Sequence, residues 1–213
     1  MTSSDCPVLD DTKKPRRRNS DLTVHELKAA TTEQLINQGL SGLSIKPILD
    51  KAGVSRGALF HHFPTKNHLI AAAFADLLQS FSEALHQSGS DLRSGRIDVS
   101  AFVEQVVETF VSDMFIGSME IALGIRVEPD LSELVKEAVE EWRVSLAAFW
   151  NETFELKGMD TAAAAQHWAM ASNLLRGHAF TSTYGVEPGA RLAFCKSFEK
   201  LILNEAVIKK ETA

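Results

Sequence analysis

Apolar residues recur at intervals of three and four along most of the chain, the spacing of amphipathic α-helices. The first such pattern has Asp21 or Thr23 as a possible N-cap, carries Leu27 and Leu35 on one face, and ends at Gly39. Capping residues, a continuous apolar face and a terminal glycine together predict one amphipathic helix here.

Two short helical patterns follow, separated by a glycine. The first spans 45–52 and starts after Ser44, which offers an N-cap hydroxyl. Gly53 breaks it, and Ser55 can cap a second helix over 56–63. Two short helices joined by a tight, glycine-containing turn predict a helix-turn-helix.

The rest of the chain also has helical periodicity. Pro64 closes the third helix, Thr65 can cap a fourth that runs from His68 to about Ser88, and a Gly/Ser-rich break is expected over 88–95. Further helices are expected over 99–116, beyond Pro129, over 161–184 and over 188–207. No segment has a convincing strand pattern, so the sequence predicts an all-α protein.

Composition and cysteine content are those of an ordinary globular protein. Hydrophobic residues make up 45% of the 213 residues, which is enough for a substantial core. Cys6 and Cys195 lie far apart, so no disulfide framework is implied. No apolar stretch is typical of a signal peptide or a membrane span, and a cytoplasmic protein is therefore expected.

Charge is distributed unevenly along the chain, although the formal net charge is −6. Residues 12–70 carry 10 basic against 4 acidic side chains, whereas residues 67–213 carry 12 basic against 21 acidic. A basic head on an acidic body suggests that one end meets a polyanion. Residues 1–20 are expected to form a disordered basic arm, whose run 13–18 is either a solubilising tail or a probe of the DNA minor groove.

The segment 52–69, AGVSRGALFHHFPTKNHL, carries the candidate DNA-reading chemistry. Val54 and Leu59 are expected to anchor its helix inward. The outward face then holds small or polar residues, namely Ser55, Arg56, Gly57, Ala58 and His61. A face with no acid and little bulk fits closely into a major groove. Arg56 can contact a guanine edge or a phosphate, and the sequence leaves both possibilities open.

This segment resembles the signature of the TetR family, and the similarity extends over residues 22–70. It lies in the Ala-Gly-Val-Ser turn, the following small linker and leucine, and the Phe-Pro-x-Lys closure. The resemblance implies a three-helix DNA-binding head, residues 21–68, with its recognition helix at 55–63. It also implies backbone contacts to DNA at Ser44, His62 and Lys66. The family commonly has tyrosine where this chain has Phe60, so a phosphate-binding hydroxyl is missing there.

The same resemblance implies that residues 69–213 form a helical ligand-binding and dimerisation domain with a cavity between its middle helices. The candidate lining residues are Phe110, Met114, Met119, Trp142, Phe149, Trp168 and Arg176. Apolar residues at helical spacing are equally explained as ordinary core. His167 and His178 are candidate polar contacts for the same reason as Arg176. No cofactor is implied, and no metal, because the adjacent His61 and His62 point in different directions on a helix.

The last two helices, about 161–207, are the expected dimer interface. The first is rich in alanine and permits close approach, while the second carries the apolar stripe Phe194, Phe198, Leu201 and Ile202. In the TetR family the equivalent pair forms a four-helix interface with its copy. Dimerisation also supplies two recognition helices for two half-sites about 34–36 Å apart.

These features predict a homodimeric transcriptional regulator, most simply a repressor that a small molecule releases from a palindromic operator. The alternative is a constitutive DNA-binding protein with no ligand pocket. An enzyme is not expected, because the chain contains no nucleophile elbow, glycine-rich phosphate loop or HExxH motif. Neither the effector nor its charge follows from the sequence.

Overall fold

Helices make up almost all of the computed structural model, which describes residues 20–158, 161–185, 187 and 189–209. The predicted all-α class is confirmed. The elements are α1 Ser20–Gly42, α2 Ile45–Ala52, α3 Arg56–His62, α4 Lys66–Arg93, α5 Val99–Val111, α6 Asp113–Ile125, α7 Pro129–Thr153, β1 Phe154–Leu156, α8 Thr161–Ser182, α9 Ala190–Glu205 and β2 Ala206–Ile208. The basic run 13–18 lies outside the described residues.

The helix-turn-helix has the bounds that the turn and cap residues predict. Gly53 is left-handed, with φ 59° and ψ 38°, and lets the chain turn out of α2. The Ser55 side chain accepts a hydrogen bond from the Ala58 N–H, and the Thr65 side chain accepts one from the His68 N–H. Ser44 precedes α2 in an extended conformation, but its side chain makes no capping bond.

α1 differs from the predicted first helix at both ends. Thr23 is buried within the helix and does not cap it. Gly39, with φ 66° and ψ 179°, interrupts the helical backbone where an end was expected, and α1 resumes for a few residues to Gly42. The predicted end is therefore a kink.

The predicted break over 88–95 is wrong, because α4 continues to Arg93. Gly89 is a contact point with α7 instead of a helix breaker. A Cβ placed on Gly89 would lie 2.5 Å from Thr153 Oγ1 and 3.1 Å from the Phe149 ring, so only glycine allows the two helices to approach this closely.

The single helix predicted over 99–116 is also wrong. Ser112, with φ −64° and ψ 148°, separates α5 from α6. Its hydroxyl caps α6 by accepting from the Phe115 N–H at 3.2 Å, and it donates to the Thr109 carbonyl at 2.7 Å. Apolar residues on both sides of Ser112 keep helical spacing, which concealed the change of direction.

Two three-residue strands were not predicted. β1 and β2 pair antiparallel, with Phe154 opposite Ile208 and Leu156 opposite Ala206. The last helix consequently ends at Glu205 and not at 207, and its expected start at Pro188 lies outside the described residues. Strands this short give no detectable alternation of apolar and polar residues.

Two hydrophobic clusters divide the interior, and α4 contributes to both. The first, which we call the head core, joins α1, α2 and α3 to the start of α4 and to α6 and α7; the second, the body core, joins the later part of α4 to α5, α7, α8, α9 and both strands. Because α4 passes through both, the domain boundary at 68/69 remains a prediction. None of the helices among the described residues is long and apolar enough to cross a bilayer.

Candidate DNA interface and ligand cavity

The outer side of α3 is a solvent-exposed surface of small, aromatic and basic residues. Its inner side is held by Leu59 and Phe63, which are buried in the head core. Its outer side presents Ser55, Arg56, Gly57, Phe60 and His61, while Ala58 and His62 are half-buried. This surface contains no carboxylate, so it presents no charge that would repel a phosphate backbone.

Arg56 is available for an external partner. Its guanidinium carbon lies 5.6 Å from the centroid of the exposed Phe60 ring, a cation–π distance. Among the described residues it has no ion pair. The Phe60 ring therefore supports the arginine without consuming its hydrogen-bond donors.

Ser55 caps the start of α3, and Gly57 leaves the surface beside it open. The Ser55 hydroxyl is occupied by the Ala58 N–H at 3.2 Å. The nearest atom to a Cβ on Gly57 would be that same hydroxyl, 4.0 Å away, so the surface beside Gly57 is open. The rings of His61 and His62 lie 5.2 Å apart at 70°, and no group of three or more possible metal ligands occurs in the described part of the chain.

Lys66 is already engaged within the protein. Its Nζ donates to the Leu43 carbonyl at 2.7 Å and ties the start of α4 to the junction of α1 and α2. The neighbouring Ser44 is exposed, and its N–H donates to Gln34 Oε1 at 3.2 Å. Lys66 and Leu43 are 23 residues apart in sequence, so this bond was beyond sequence reasoning.

Three of the predicted ligand-binding residues come together in one cavity. Trp142, Trp168 and Arg176 line a space of about 400 Å³ between α7 and α8, which we call the α7–α8 cavity. Ser172 and Asn173, which sequence reasoning missed, lie in the same wall. Ser172 lies four residues and Asn173 three residues before Arg176, which places both on the same face of α8, a signal that was present in the sequence.

The other predicted ligand-binding residues lie elsewhere. Phe110 and Phe149 are fully buried in the body core, and Met119 is half-buried against it. Met114 is exposed and borders a separate groove between α1 and α4. Phe110 and Phe149 are therefore ordinary core residues, because other aromatic rings surround them.

The two candidate histidines do not line the α7–α8 cavity. His167 is buried, with its ring centroid 5.5 Å from that of Trp150. His178 stacks on Phe194 at 3.9 Å, and burial, followed by the charge of Arg191, lowers the pKa of His178. Both histidines belong to the packing of α8.

Arg176 is a half-buried cation with neutral partners. Its Nη1 donates to Asn173 Oδ1 at 3.2 Å and reaches Ser172 Oγ at 3.4 Å. Its guanidinium carbon lies 5.7 Å from the centroid of Trp142. Burial lowers the pKa of Arg176, because desolvation disfavours the charged form.

Two sets of contacts join α7 to α4 within the body and α6 to α1 of the head. In the first, His86 Nε2 on α4 lies 3.2 Å from Ser145 Oγ on α7, and Ser82 Oγ is 2.6 Å from the same oxygen. In the second, glycines of α6 admit α1: a Cβ on Gly117 would lie 3.3 Å from the backbone of Ile36. α7 therefore contacts α4 and α6 contacts α1, and both α1 and α4 pack in the head core with α3.

Apolar side chains remain exposed along α8 and α9, but they are not the predicted stripe. Phe198 and Ile202 are buried in the protomer's own body core, with Phe194 and Leu201 packed against it. The exposed apolar residues are Met170, Leu174 and Phe180 on α8, Tyr184 in the turn just after α8, and Leu192 and Leu203 on α9. Met170 is 62% exposed and Tyr184 is 74% exposed, high values for side chains of this size.

Comparisons with known proteins agree with this geometry. Residues 27–73 match the family model described as bacterial regulatory proteins, tetR family. The chain is 28% identical over 162 residues to the HTH-type transcriptional regulator CymR of Pseudomonas putida, covering 76% of this chain and 80% of that one. It is 26% identical over 136 residues to an HTH-type transcriptional regulator of Mycobacterium tuberculosis, covering 62% and 67%.

Solved structures share the fold. A TetR-family regulator from Mesorhizobium loti superposes with a TM-score of 0.66 at 16% identity, covering 90% of this chain and all of the other. The multidrug binding protein EbrR, crystallised with imidazole, superposes with a TM-score of 0.60 at 17% identity, covering 89% and 96%. At these identities the likeness establishes the arrangement of helices.

Proposed function

Because the chain belongs to the TetR family of bacterial regulatory proteins and binds DNA as a transcriptional regulator, we propose that it is a dimeric repressor released from a palindromic operator by a small molecule. The observation that carries this proposal is the outer side of α3. Recognition of chromosomal DNA makes the cytoplasm its place of action.

The DNA-binding part of the proposal assigns different roles to residues of the head. Arg56 reads a base edge or a phosphate, since its guanidinium is exposed and lacks an internal acidic partner among the described residues. Ser55, Gly57, Ala58, Phe60, His61 and His62 supply the surface that approaches the groove. Ser44 lies at the N-terminus of α2, where we expect the sugar-phosphate backbone of the DNA to pass. Lys66 reaches a phosphate only if its hydrogen bond to the Leu43 carbonyl breaks.

Operator binding by the full-length protein tests these roles. An operator is first selected from random duplexes, and its affinity is then measured by fluorescence anisotropy over a range of salt concentrations. Arg56→Ala is expected to weaken binding at least tenfold, because each of the two protomers of the proposed dimer loses an arginine contact of about 1–3 kcal/mol. Arg96→Ala is the control, since Arg96 lies in the loop after α4, about 42 Å along that 28-residue helix from the head.

The same titration separates the two roles of Lys66. If Lys66 binds phosphate, Lys66→Met reduces the number of counterions released on binding by about one for each Lys66 that contacts DNA, and the dependence of affinity on salt becomes shallower. If it only ties α4 to Leu43, the salt dependence is unchanged and the head loses thermal stability. Equal operator affinity for the wild type and Arg56→Ala would contradict the assignment of the α3 surface.

Dimerisation is assigned to the exposed apolar side chains of α8 and α9. A second copy that packs these helices against its own would cover Met170 and Leu174 and form a four-helix interface. A dimer is also what a palindromic operator requires, because one seven-residue recognition helix reads few bases.

The ligand response is assigned to the α7–α8 cavity. Its volume of about 400 Å³ lies within the usual range of small-molecule pockets, which favours an effector-binding protein over the constitutive alternative. Trp142 and Ser145 lie on the same helix, and Ser145 contacts α4 through Ser82 and His86. A ligand that binds one arrangement of α7 and α4 more tightly than the other shifts the heads out of register.

Release of operator DNA by an added compound tests this response. A compound that binds the cavity is expected to weaken operator affinity. The factor is the ratio of the compound's affinity for the arrangement of α7 and α4 that releases DNA to its affinity for the arrangement that binds DNA. The proposal fails if compounds that bind the protein leave operator affinity unaltered.

A further inference from the structure

The lining of the α7–α8 cavity has a charge opposite to that of the protein. The chain as a whole carries −6, yet the lining contains Arg143 and Arg176 and no aspartate or glutamate. The neighbouring groove along the outside of α7 has the opposite character, with Glu133, Glu137 and other acids in its walls. The cavity is therefore an electropositive site on an acidic body.

The two arginines of the cavity differ in what already neutralises them. Arg143 Nε donates to Glu140 Oε2 at 3.0 Å, and the Glu140 carboxylate offsets its charge. Arg176 contacts only the neutral side chains of Ser172 and Asn173 and the face of Trp142, among the described residues. A half-buried guanidinium without a carboxylate is costly to desolvate, and an incoming anion removes that cost.

The rest of the lining selects the body of the ligand. Val139, Leu146 and the rings of Trp142 and Trp168 supply apolar and aromatic walls. The Trp142 ring lies beside Arg176, with the guanidinium carbon 5.7 Å from its centroid, so the charged and aromatic parts of the lining are adjacent. The planar guanidinium fork of Arg176 matches the two oxygens of a carboxylate.

We propose that the effector is a small aromatic carboxylate, held by Arg176 at its charged end and by the two tryptophans along its ring. That this ligand regulates DNA binding rests on the proposed function. The chemical class of the ligand is what the cavity lining adds. The carboxylate accepts from the Arg176 guanidinium, and the ring of the ligand occupies the apolar side of the cavity.

Binding to the full-length protein in the absence of DNA tests the ligand class directly. Isothermal titration and thermal shift are measured with 2-naphthoate and 4-methylbenzoate, with the neutral amides of the same rings, and with the corresponding arylmethylamines as cations. The carboxylates are expected to bind and raise the melting temperature, with at least tenfold weaker binding of the amides and none of the amines. Equal binding of carboxylate and amide, or failure of both carboxylates to bind, overturns the proposal.

Variants then identify the arginine responsible. Arg176→Gln is expected to weaken carboxylate binding at least tenfold, and Arg176→Lys to restore part of it, because the charge returns without the planar fork. Arg96→Gln is the control, because Arg96 lies outside the cavity and pairs with Asp91, and its expected change is less than threefold. The assignment is wrong if Arg176→Gln binds the carboxylates as tightly as the wild type does. Circular dichroism of each variant checks that the helices remain intact.

The outcomes distinguish this inference from the proposed function. Carboxylates that bind through Arg176 but leave operator affinity unchanged support the ligand class and contradict the regulatory role. Operator release by a neutral or cationic compound, with Arg176→Gln responding as the wild type does, supports a ligand-responsive repressor and overturns the carboxylate.

Discussion

Replacement of Gly89 by alanine tests the close approach of α4 and α7, the helices that connect the cavity to the head. The new Cβ would lie 2.5 Å from Thr153 Oγ1 and 3.1 and 3.3 Å from two atoms of the Phe149 ring. Neither neighbour moves freely, because both side chains are buried and the Thr153 hydroxyl donates to the Phe149 carbonyl at 2.7 Å. The helices must therefore separate or a buried side chain must leave its rotamer.

Two opposing effects set the magnitude. Overpacking a filled core costs about 1–3 kcal/mol, and a contact of 2.5 Å belongs to the upper part of that range. Replacing glycine by alanine within a helix contributes about 1 kcal/mol in the other direction. Gly89→Ala is thus expected to lower the free energy of unfolding by roughly 1–2 kcal/mol.

Urea unfolding followed by tryptophan fluorescence, at one fixed protein concentration, measures this change. Gly57→Ala on the open surface of α3 is the control, with an expected change of zero or a slight gain in stability. The double variant Gly89→Ala/Thr153→Ala should be about 1 kcal/mol more stable than the sum of the two single changes predicts, because Thr153→Ala removes the atom nearest to the new Cβ. A Gly89→Ala protein at least as stable as Gly57→Ala would refute the argument.

Three further predictions concern the DNA surface, the connection between α4 and α7, and the dimer. Phe60→Tyr should raise operator affinity about two- to tenfold in an anisotropy titration, because a phenolic hydroxyl at that exposed position gains a hydrogen bond to phosphate. Ser145→Ala removes the side-chain contacts to Ser82 and His86 and should lower the free energy of unfolding by about 1–2 kcal/mol in urea. Met170→Glu should convert the dimer to a monomer by light scattering and abolish operator binding, since it places a charge in the proposed interface.

Each of these predictions has a control. Phe60→Leu adds no hydroxyl and must not raise operator affinity, since a gain in that variant as well would contradict a hydrogen bond to phosphate. Ser80→Ala loses only a bond to its own helix and should change stability by less than about 0.5 kcal/mol. Met114→Glu alters an exposed methionine outside the α8–α9 surface, and loss of the dimer in that variant as well would contradict the proposed interface.

The candidate site was predictable where local chemistry determines it. Ser55 and Thr65 cap their helices as expected, and the residues of α3 that face solvent follow from where Leu59 is buried. The lining of the α7–α8 cavity was predicted only in part, since Trp168 lines the cavity while Phe149 lies in the core and is surrounded by neighbouring rings. Helical spacing is the same for a residue that lines a cavity and for one that closes it.

The sequence by itself determined the all-α class and the geometry of the helix-turn-helix, because caps, turn glycines and apolar periodicity act over a few residues. Only the tertiary structure decided what long-range packing controls. It made Gly89 a contact between α4 and α7, joined Lys66 to the Leu43 carbonyl, and turned Phe198 into the protomer's own core. The physical reason is that each of these depends on a partner distant in sequence, and no local pattern specifies which partner the folded chain brings near.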